Sequence, residues 1–168
     1  GNDFAKYWGL DIDDYKASVE ALINRRLRKV DVGSCSYFDG NAHQVRYFLN
    51  AVYIGLGARI VMITNETRRF WGFRSISYLA SLFLMIFERK LHRMHLKLND
   101  EHIRGRIMTV CIGSAKGYGL TPSAVPYNGW LDVSVIYRPE LLQLVSGLWM
   151  LQHNRLLNHK TVKSYRTR

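Results

Sequence analysis

The chain has 168 residues, 48% of them hydrophobic and 22% charged, with a formal net charge of +11 at pH 7. That size and mixture support one globular domain burying roughly 70% of its unfolded surface, and exclude a repetitive or low-complexity chain. The longest apolar run, Ile76 to Phe87, stops at Glu88-Arg89-Lys90, short of the about 20 residues a membrane helix needs.

In chain order, residues 2–9 read as a short helix that Asn2 or Asp3 can cap. Asp13 or Asp14 caps a second, Tyr15–Asn24, with Val19, Leu22 and Ile23 on one side. Arg28–Cys35 alternates as a strand, and Gln44–Tyr53 forms another after an Asp39-Gly40-Asn41 turn. Gly55 and Gly57 interrupt the apolar run that follows, the mark of a bulge or a close backbone approach. Residues 75–94 carry helical periodicity through Ile76, Leu79, Phe83, Phe87, Leu91 and Met94. A hairpin comes next, His95–Leu98 against Ile103 and Arg106–Ile112, turning at Asn99-Asp100-Glu101. A glycine- and proline-bearing loop spans Gly113 to Gly129, then Trp130–Tyr137 alternates as a strand. Pro139 sits at the start of a last helix, about Glu140–Asn154, and Lys160–Arg168 alternates as a final strand.

Short strands with glycine-bearing turns and few helices give the fold class: mainly β, an antiparallel β-sandwich carrying two to three helices. The tail strand is expected at an edge open to a partner, so a homodimer is one expectation. Cys35 and Cys111 lack metal-ligand spacing and are expected as buried, reduced thiols of a cytosolic protein. The six histidines show no zinc pattern, and no metal site is expected.

The basic excess is clustered: Arg25, Arg26, Arg28 and Lys29, then Arg89 to Arg106, then Arg155 to Arg168. Such a surface suits nucleic acid, nucleotide phosphates or an anionic membrane equally well. Three segments are candidates for chemistry. Gly1-Asn2-Asp3 opens a helix, where backbone amides and Asn2 can meet phosphate oxygens and Asp3 can hold a metal or orient a hydroxyl. Arg68, Arg69 and Arg74 precede the apolar helix, where guanidinium forks grip phosphate bidentately. The loop Ser114 to Trp130 has glycines that allow close approach to a ligand and a tight Asn128-Gly129 turn. No Walker loop, G-x-G-x-x-G after a strand or nucleophile elbow is present, so the catalytic residues remain unknown.

Taken in order, five segments resemble lipid kinases of the bacterial-type diacylglycerol kinase and sphingosine kinase family. They are Gly1-Asn2-Asp3-Phe4-Ala5, Val30-Asp31-Val32-Gly33, Tyr47-Phe48-Leu49-Asn50 with the Gly55 to Ala58 bend, Thr67-Arg68-Arg69 to Leu79, and Asn128-Gly129-Trp130-Leu131-Asp132-Val133. The resemblance implies the second, β-sandwich domain of a two-domain enzyme that moves the ATP γ-phosphoryl group to a lipid hydroxyl. Residues 1–26 would be a helical interdomain segment and 27–168 the lipid-binding sandwich. Carried over by position, Gly1, Asn2, Asp3, Arg68, Arg69 and Arg74 belong to the nucleotide and substrate cleft, and Leu79, Phe83 and Phe87 to the lipid pocket.

The resemblance implies ATP and Mg2+ for the full-length enzyme, a diacylglycerol- or sphingoid-type acceptor and a transient anionic membrane surface. A cytoplasmic protein peripheral to the membrane is expected, in phospholipid metabolism. The family's G-G-D-G-T nucleotide loop and its D-G-E segment, which holds the general base, are absent from this stretch. The nucleotide-binding half is therefore expected to lie outside it, and the chain alone to bind ATP weakly at best and show no kinase activity. Pro122-Ser123-Ala124 and Tyr127-Asn128-Gly129 stand where the family has P-D-A and D-D-G, which removes two carboxylates from a magnesium loop. Two other classes are a basic β-module for nucleic acid and a non-catalytic lipid-binding domain. Phe48 and Tyr53, in apolar strands, are expected to be buried, so nucleic acid is not the expected partner.

Overall fold

The structure, a computed structural model, describes residues 3–10, 14–24, 27–59, 62, 91–116, 120–140, 143, 146–147, 149–150, 153 and 155–168. Two helices, α1 (Asp3–Tyr7) and α2 (Tyr15–Ile23), lead into β1 (Gly33–Phe38), β2 (His43–Phe48) and β3 (Ala51–Gly55). Then follow β4 (His92–Leu98), β5 (Glu101–Gly113), β6 (Leu131–Tyr137), a short 3-10 turn (Leu156–Asn158) and β7 (Val162–Thr167). Asp14 caps α2 as its sequence position suggests, its Oδ1 accepting from Ala17 N at 3.0 Å.

All pairings are antiparallel. β1 and β2 form a two-stranded hairpin, and β3-β5-β6-β7 run side by side with β4 also paired to β5. The 13-residue β5 organises the larger sheet: Glu101 to Ile107 pair with β4 and Thr109 to Gly113 with β3. β6 covers Ile107 to Gly113, with a bulge between Ile107 and Thr109. One extra residue reverses the in–out alternation, so Ile107 and Val110, three apart, share one cluster, and with Met108 buried in the other Ile107 to Cys111 are buried in succession.

The bulge divides the core between two clusters. Ile107 and Val110 pack with Ile103, Val133 and Val135 beneath Met94, Leu96 and Leu98 of β4. Met108 joins Leu56, Ile136 and Val162 in the other cluster, with Leu91, Leu120 and Leu157 against it. β3 lies very close to β5. A Cβ at Gly55 (φ +86°) would stand 2.6 Å from the Met108 carbonyl oxygen. Thr109 Oγ1 donates to the Ile54 carbonyl and accepts from Gly57 N, both at 3.0 Å.

Four sequence expectations need correction. The periodic segment through Leu91 and Met94 is not helical at its end: residues 92–98 are strand. Met94 continues the helical spacing from Leu91 but also starts the alternation Met94-Leu96-Leu98, and pairing of Met94 with Gly105 and Leu96 with Ile103 decides for β. The expected strand Gln44–Tyr53 is two strands broken at Leu49-Asn50, whose carbonyls bond elsewhere. Only Gly33 onward of Arg28–Cys35 is strand, because Asp31 N is committed to the Pro126 carbonyl. Phe48 and Tyr53 are half-buried rather than buried, and Tyr47 on the same hairpin is 74% exposed. Phe48 and Tyr47 stand on a two-stranded hairpin with no second layer to cover both faces, and Tyr53 on β3, which ends the row of strands in the larger sheet. The helix proper of 75–90 lies outside the described residues. Of the last expected helix, Gln143, Ser146, Gly147, Trp149 and Met150 are helical and Glu140 is not. The tail strand is β7, at one edge of the sheet.

Cys35 is half-buried and Cys111 buried, both as free thiols. Burial pushes the Cys111 thiol up to about 12 from 9.0, against weaker opposing hydrogen bonds from Tyr53 and Thr121. Burial likewise pushes the Tyr165 phenol up to about 12 from 10.0. Raised folded-state values mean the neutral forms support the fold at pH below 9, and that support is lost as pH climbs from 9 toward 12. A thiol titration at pH 8 is expected to find Cys35 reactive in the folded chain and Cys111 only after denaturant is added. Equal rates would contradict the burial of Cys111.

Candidate functional site

The site forms where the β2–β3 corner meets α1. At the corner the Asn50 carbonyl accepts from Ser114 N at 2.9 Å and Ala115 N at 3.3 Å, and Ser114 Oγ donates to the Leu49 carbonyl at 2.8 Å. Thr121 Oγ1 then holds the Ala115 carbonyl at 3.1 Å. A Cβ at Gly113 would stand 2.5 Å from Thr121 Oγ1, so the end of β5 has room for glycine only. These contacts pin the corner to the start of the long loop.

A second set of contacts pins the far end of that loop. Asp31 N donates to the Pro126 carbonyl at 2.8 Å, and Asp31 Oδ2 accepts from Gly129 N at 2.7 Å. Asn128 Oδ1 accepts from Trp130 N at 2.9 Å, closing the turn at Gly129, whose φ is +71°. Tyr127 reaches α1: its hydroxyl lies 3.3 Å from that of Tyr7, and its ring centroid 5.8 Å from that of Trp8. The hydrogen bond with Tyr127 holds the Tyr7 phenol above its ordinary value. Arg28 caps the cluster, 5.8 Å over the Trp8 ring.

Between these anchors lies an open groove of about 490 Å³, lined by Phe4, Val32, Tyr47, Phe48, Leu49, Asn50 and Ala51. The lining is apolar except for Asn50 and the Tyr47 hydroxyl. Asn50 Oδ1 is buried and accepts no hydrogen bond from any described residue, and an unsatisfied acceptor costs about 1–3 kcal/mol relative to a satisfied one. A groove of this kind suits a ligand that is mainly hydrocarbon and presents one hydroxyl or amide donor.

Of the residues the sequence put forward, Asp3 begins α1, one residue before Phe4 of the groove. Gly1, Asn2, Arg68, Arg69, Arg74, Leu79, Phe83 and Phe87 lie outside the described residues. In the loop, Asn128 Oδ1 accepts from Trp130 N and the Thr121 carbonyl from Ala124 N at 3.3 Å. That loop offers no carboxylate of its own, so its donor set does not fit a hard cation. Among the described residues no group of three or more His, Cys, Asp or Glu side chains is placed to hold a metal ion. Sequence reasoning passed over Asn50 and Asp31 as site-forming groups and took Ser114 only as the start of the candidate loop. Their signal was present in the strings Tyr47-Phe48-Leu49-Asn50 and Val30-Asp31-Val32-Gly33, but contacts spanning 65 to 98 positions cannot be read from local pattern.

Fold and groove together define a β-sandwich-like domain that presents an apolar cleft at one corner of its sheet. The chain belongs to the family described as the YegS C-terminal NAD kinase beta sandwich-like domain, which it matches over residues 50–168. It is 29% identical over 146 residues to a "Probable lipid kinase YegS-like" protein of Pseudomonas syringae pv. tomato, covering 83% of this chain and 43% of that protein. A protein of the same description from Pseudomonas savastanoi pv. phaseolicola is 28% identical over the same shares. The chain thus spans less than half the length of these curated relatives. The crystal structure of a "putative diacylglycerol kinase" from Bacillus anthracis str. Sterne shares the fold, with a TM-score of 0.66 at 15% identity, over 99% of this chain and 53% of that one. A second diacylglycerol kinase structure from that organism superposes with a TM-score of 0.59.

Proposed function

We propose that the chain is the lipid-binding sandwich of an ATP-dependent lipid kinase, which passes the γ-phosphoryl group to a diacylglycerol- or sphingoid-type hydroxyl. One observation carries the reading. Segments far apart in sequence, ending in Phe4, Val32 and Tyr47 to Asn50, line a single apolar groove holding one unpaired acceptor. The groove suits the hydrocarbon neighbourhood of a lipid hydroxyl, and Asn50 Oδ1 would accept a hydrogen bond from that O–H. Gly1, Asn2 and Asp3 adjoin that groove in sequence and belong to the reaction cleft in this reading, with Arg68, Arg69 and Arg74 neutralising phosphate. Phosphoryl transfer depends on such positioning and charge neutralisation more than on covalent help.

Leu79, Phe83 and Phe87 would line the acyl pocket. ATP and Mg2+ would be held chiefly by a nucleotide-binding half outside this stretch, and residues 1–26 would connect the halves. The apolar side of α2 supports that connection: Val19 is 49%, Leu22 78% and Ile23 73% exposed. No helix among the described residues is long and apolar enough to cross a membrane. In this reading the enzyme would work in the cytoplasm, peripheral to the bilayer, where its lipid acceptor lies.

The test is a transfer assay with ATP, Mg2+ and lipid in mixed micelles. The full-length protein is expected to phosphorylate diacylglycerol or a sphingoid base, and this chain alone neither. Transfer to neither lipid by the full-length protein would overturn the reading. Asn50→Leu sharpens the test. Removing the unmatched acceptor is expected to raise stability by about 1 kcal/mol while raising the lipid KM. Lower stability with unchanged kinetics would make Asn50 a structural group.

A further inference from the structure

We propose that the outer face of the β4–β5 hairpin is a docking surface for anionic phospholipid headgroups. The cross-strand register places Arg93 opposite Arg106, His95 opposite Arg104, and Lys97 opposite His102. All six are exposed, while Met94, Leu96, Ile103 and Ile107 alternate with them toward the core. The outward face of the ribbon is therefore basic at every position. Like charges directly opposite one another weaken a sheet, and no ion pair among the described residues relieves them. Elsewhere on this sheet the opposite solution is used: Arg166 bonds Asp132 at 2.9 Å. His95 Nε2 and His102 Nδ1 lie 3.1 Å apart, amid Arg93, Lys97, Arg104 and Arg106.

The composition of the face selects the partner. A single-stranded nucleic acid needs aromatic platforms beside its cations. This face has none. The exposed strand aromatics stand instead on the β1–β2 hairpin, Phe38 and Tyr47 on the side carrying His43 and Val45 and Tyr37 on the side of Arg46. A flat ribbon with cations about 7 Å apart along each strand matches a plane of phosphates, and a cluster of this size is what anionic leaflets attract. The choice of a bilayer rests on the lipid-kinase reading above, whose acceptor resides in one.

The experiment is co-sedimentation of this chain with phosphatidylcholine vesicles, with and without phosphatidylglycerol, in the absence of ATP. Binding is expected only to the anionic vesicles. The double variant Arg104→Gln/Arg106→Gln is expected to lower the partition coefficient about twenty-five-fold, roughly fivefold per side chain. Its thermal melt should not fall, since it relieves like-charge pairs. Lys160→Gln/Lys163→Gln removes the same charge elsewhere and is expected to change partitioning less than about threefold. No binding to anionic vesicles, or equal losses in the two double variants, would overturn the proposal. So would hairpin-dependent binding to random oligonucleotides without vesicle binding. Vesicle binding needs no catalysis, so an inactive full-length protein would leave this result standing, and an active one would not rescue its failure.

Discussion

Ile107→Ala is expected to lower the unfolding free energy by about 2–5 kcal/mol. Ile107 has no exposed surface, and it sits at the bulge where β5 passes from one set of neighbours to the other. It contributes to the cluster that joins β4 to Val133 and Val135 of β6. Truncation there empties space at the junction of three strands, and a bulged strand has little freedom to collapse into it. Denaturant unfolding should show a lower midpoint at unchanged slope. A loss under about 1 kcal/mol would mean that the β4–β5 hairpin does not pack on β6 as described.

Alanine at two left-handed glycines should separate strain from collision. Gly129 has φ +71° and nothing within 4 Å of a built Cβ, so only the backbone preference is lost, about 1–2 kcal/mol. Gly55 has φ +86°, and its Cβ would stand 2.6 Å from the backbone oxygen of Met108. Overpacking adds about 1–3 kcal/mol to the same preference, because a carbonyl in the β3–β5 ladder cannot swing aside. Gly55→Ala should therefore be clearly the more destabilising of the pair in thermal or denaturant melts. Equal losses would show that β3 and β5 separate easily at that point, loosening the bend that leads out of the groove.

The hairpins were legible where one local cue decided them. Asp39-Gly40-Asn41 turns as its composition demands, with Asp39 Oδ1 accepting from Asn41 N and Ala42 N at 2.9 Å. Asn99 takes φ +53° at the β4–β5 turn, a conformation asparagine tolerates. The close approach at Gly55 and Gly57 was also readable, since an apolar run broken by glycine in a strand has few other causes. Residues 92–94 misled because Met94 continues the helical spacing from Leu91 as well as opening the alternation Met94-Leu96-Leu98. The partner strand, not the segment, resolves that ambiguity. The groove was hidden for a related reason. Its walls come from α1, the stretch before β1 and the β2–β3 corner, and it exists only through ties such as Asp31 to Gly129. The all-basic face of β4–β5 was visible as a charge zone, but its one-sidedness required the register.

The most direct measurement is photolabelling of the full-length protein with a diacylglycerol analogue carrying its diazirine beside the glycerol, followed by peptide mapping. Adducts are expected on Phe4, Val32 or the Tyr47 to Ala51 segment, and competing unlabelled diacylglycerol should suppress them. Competable labelling confined to peptides outside the groove would contradict its assignment as the lipid site.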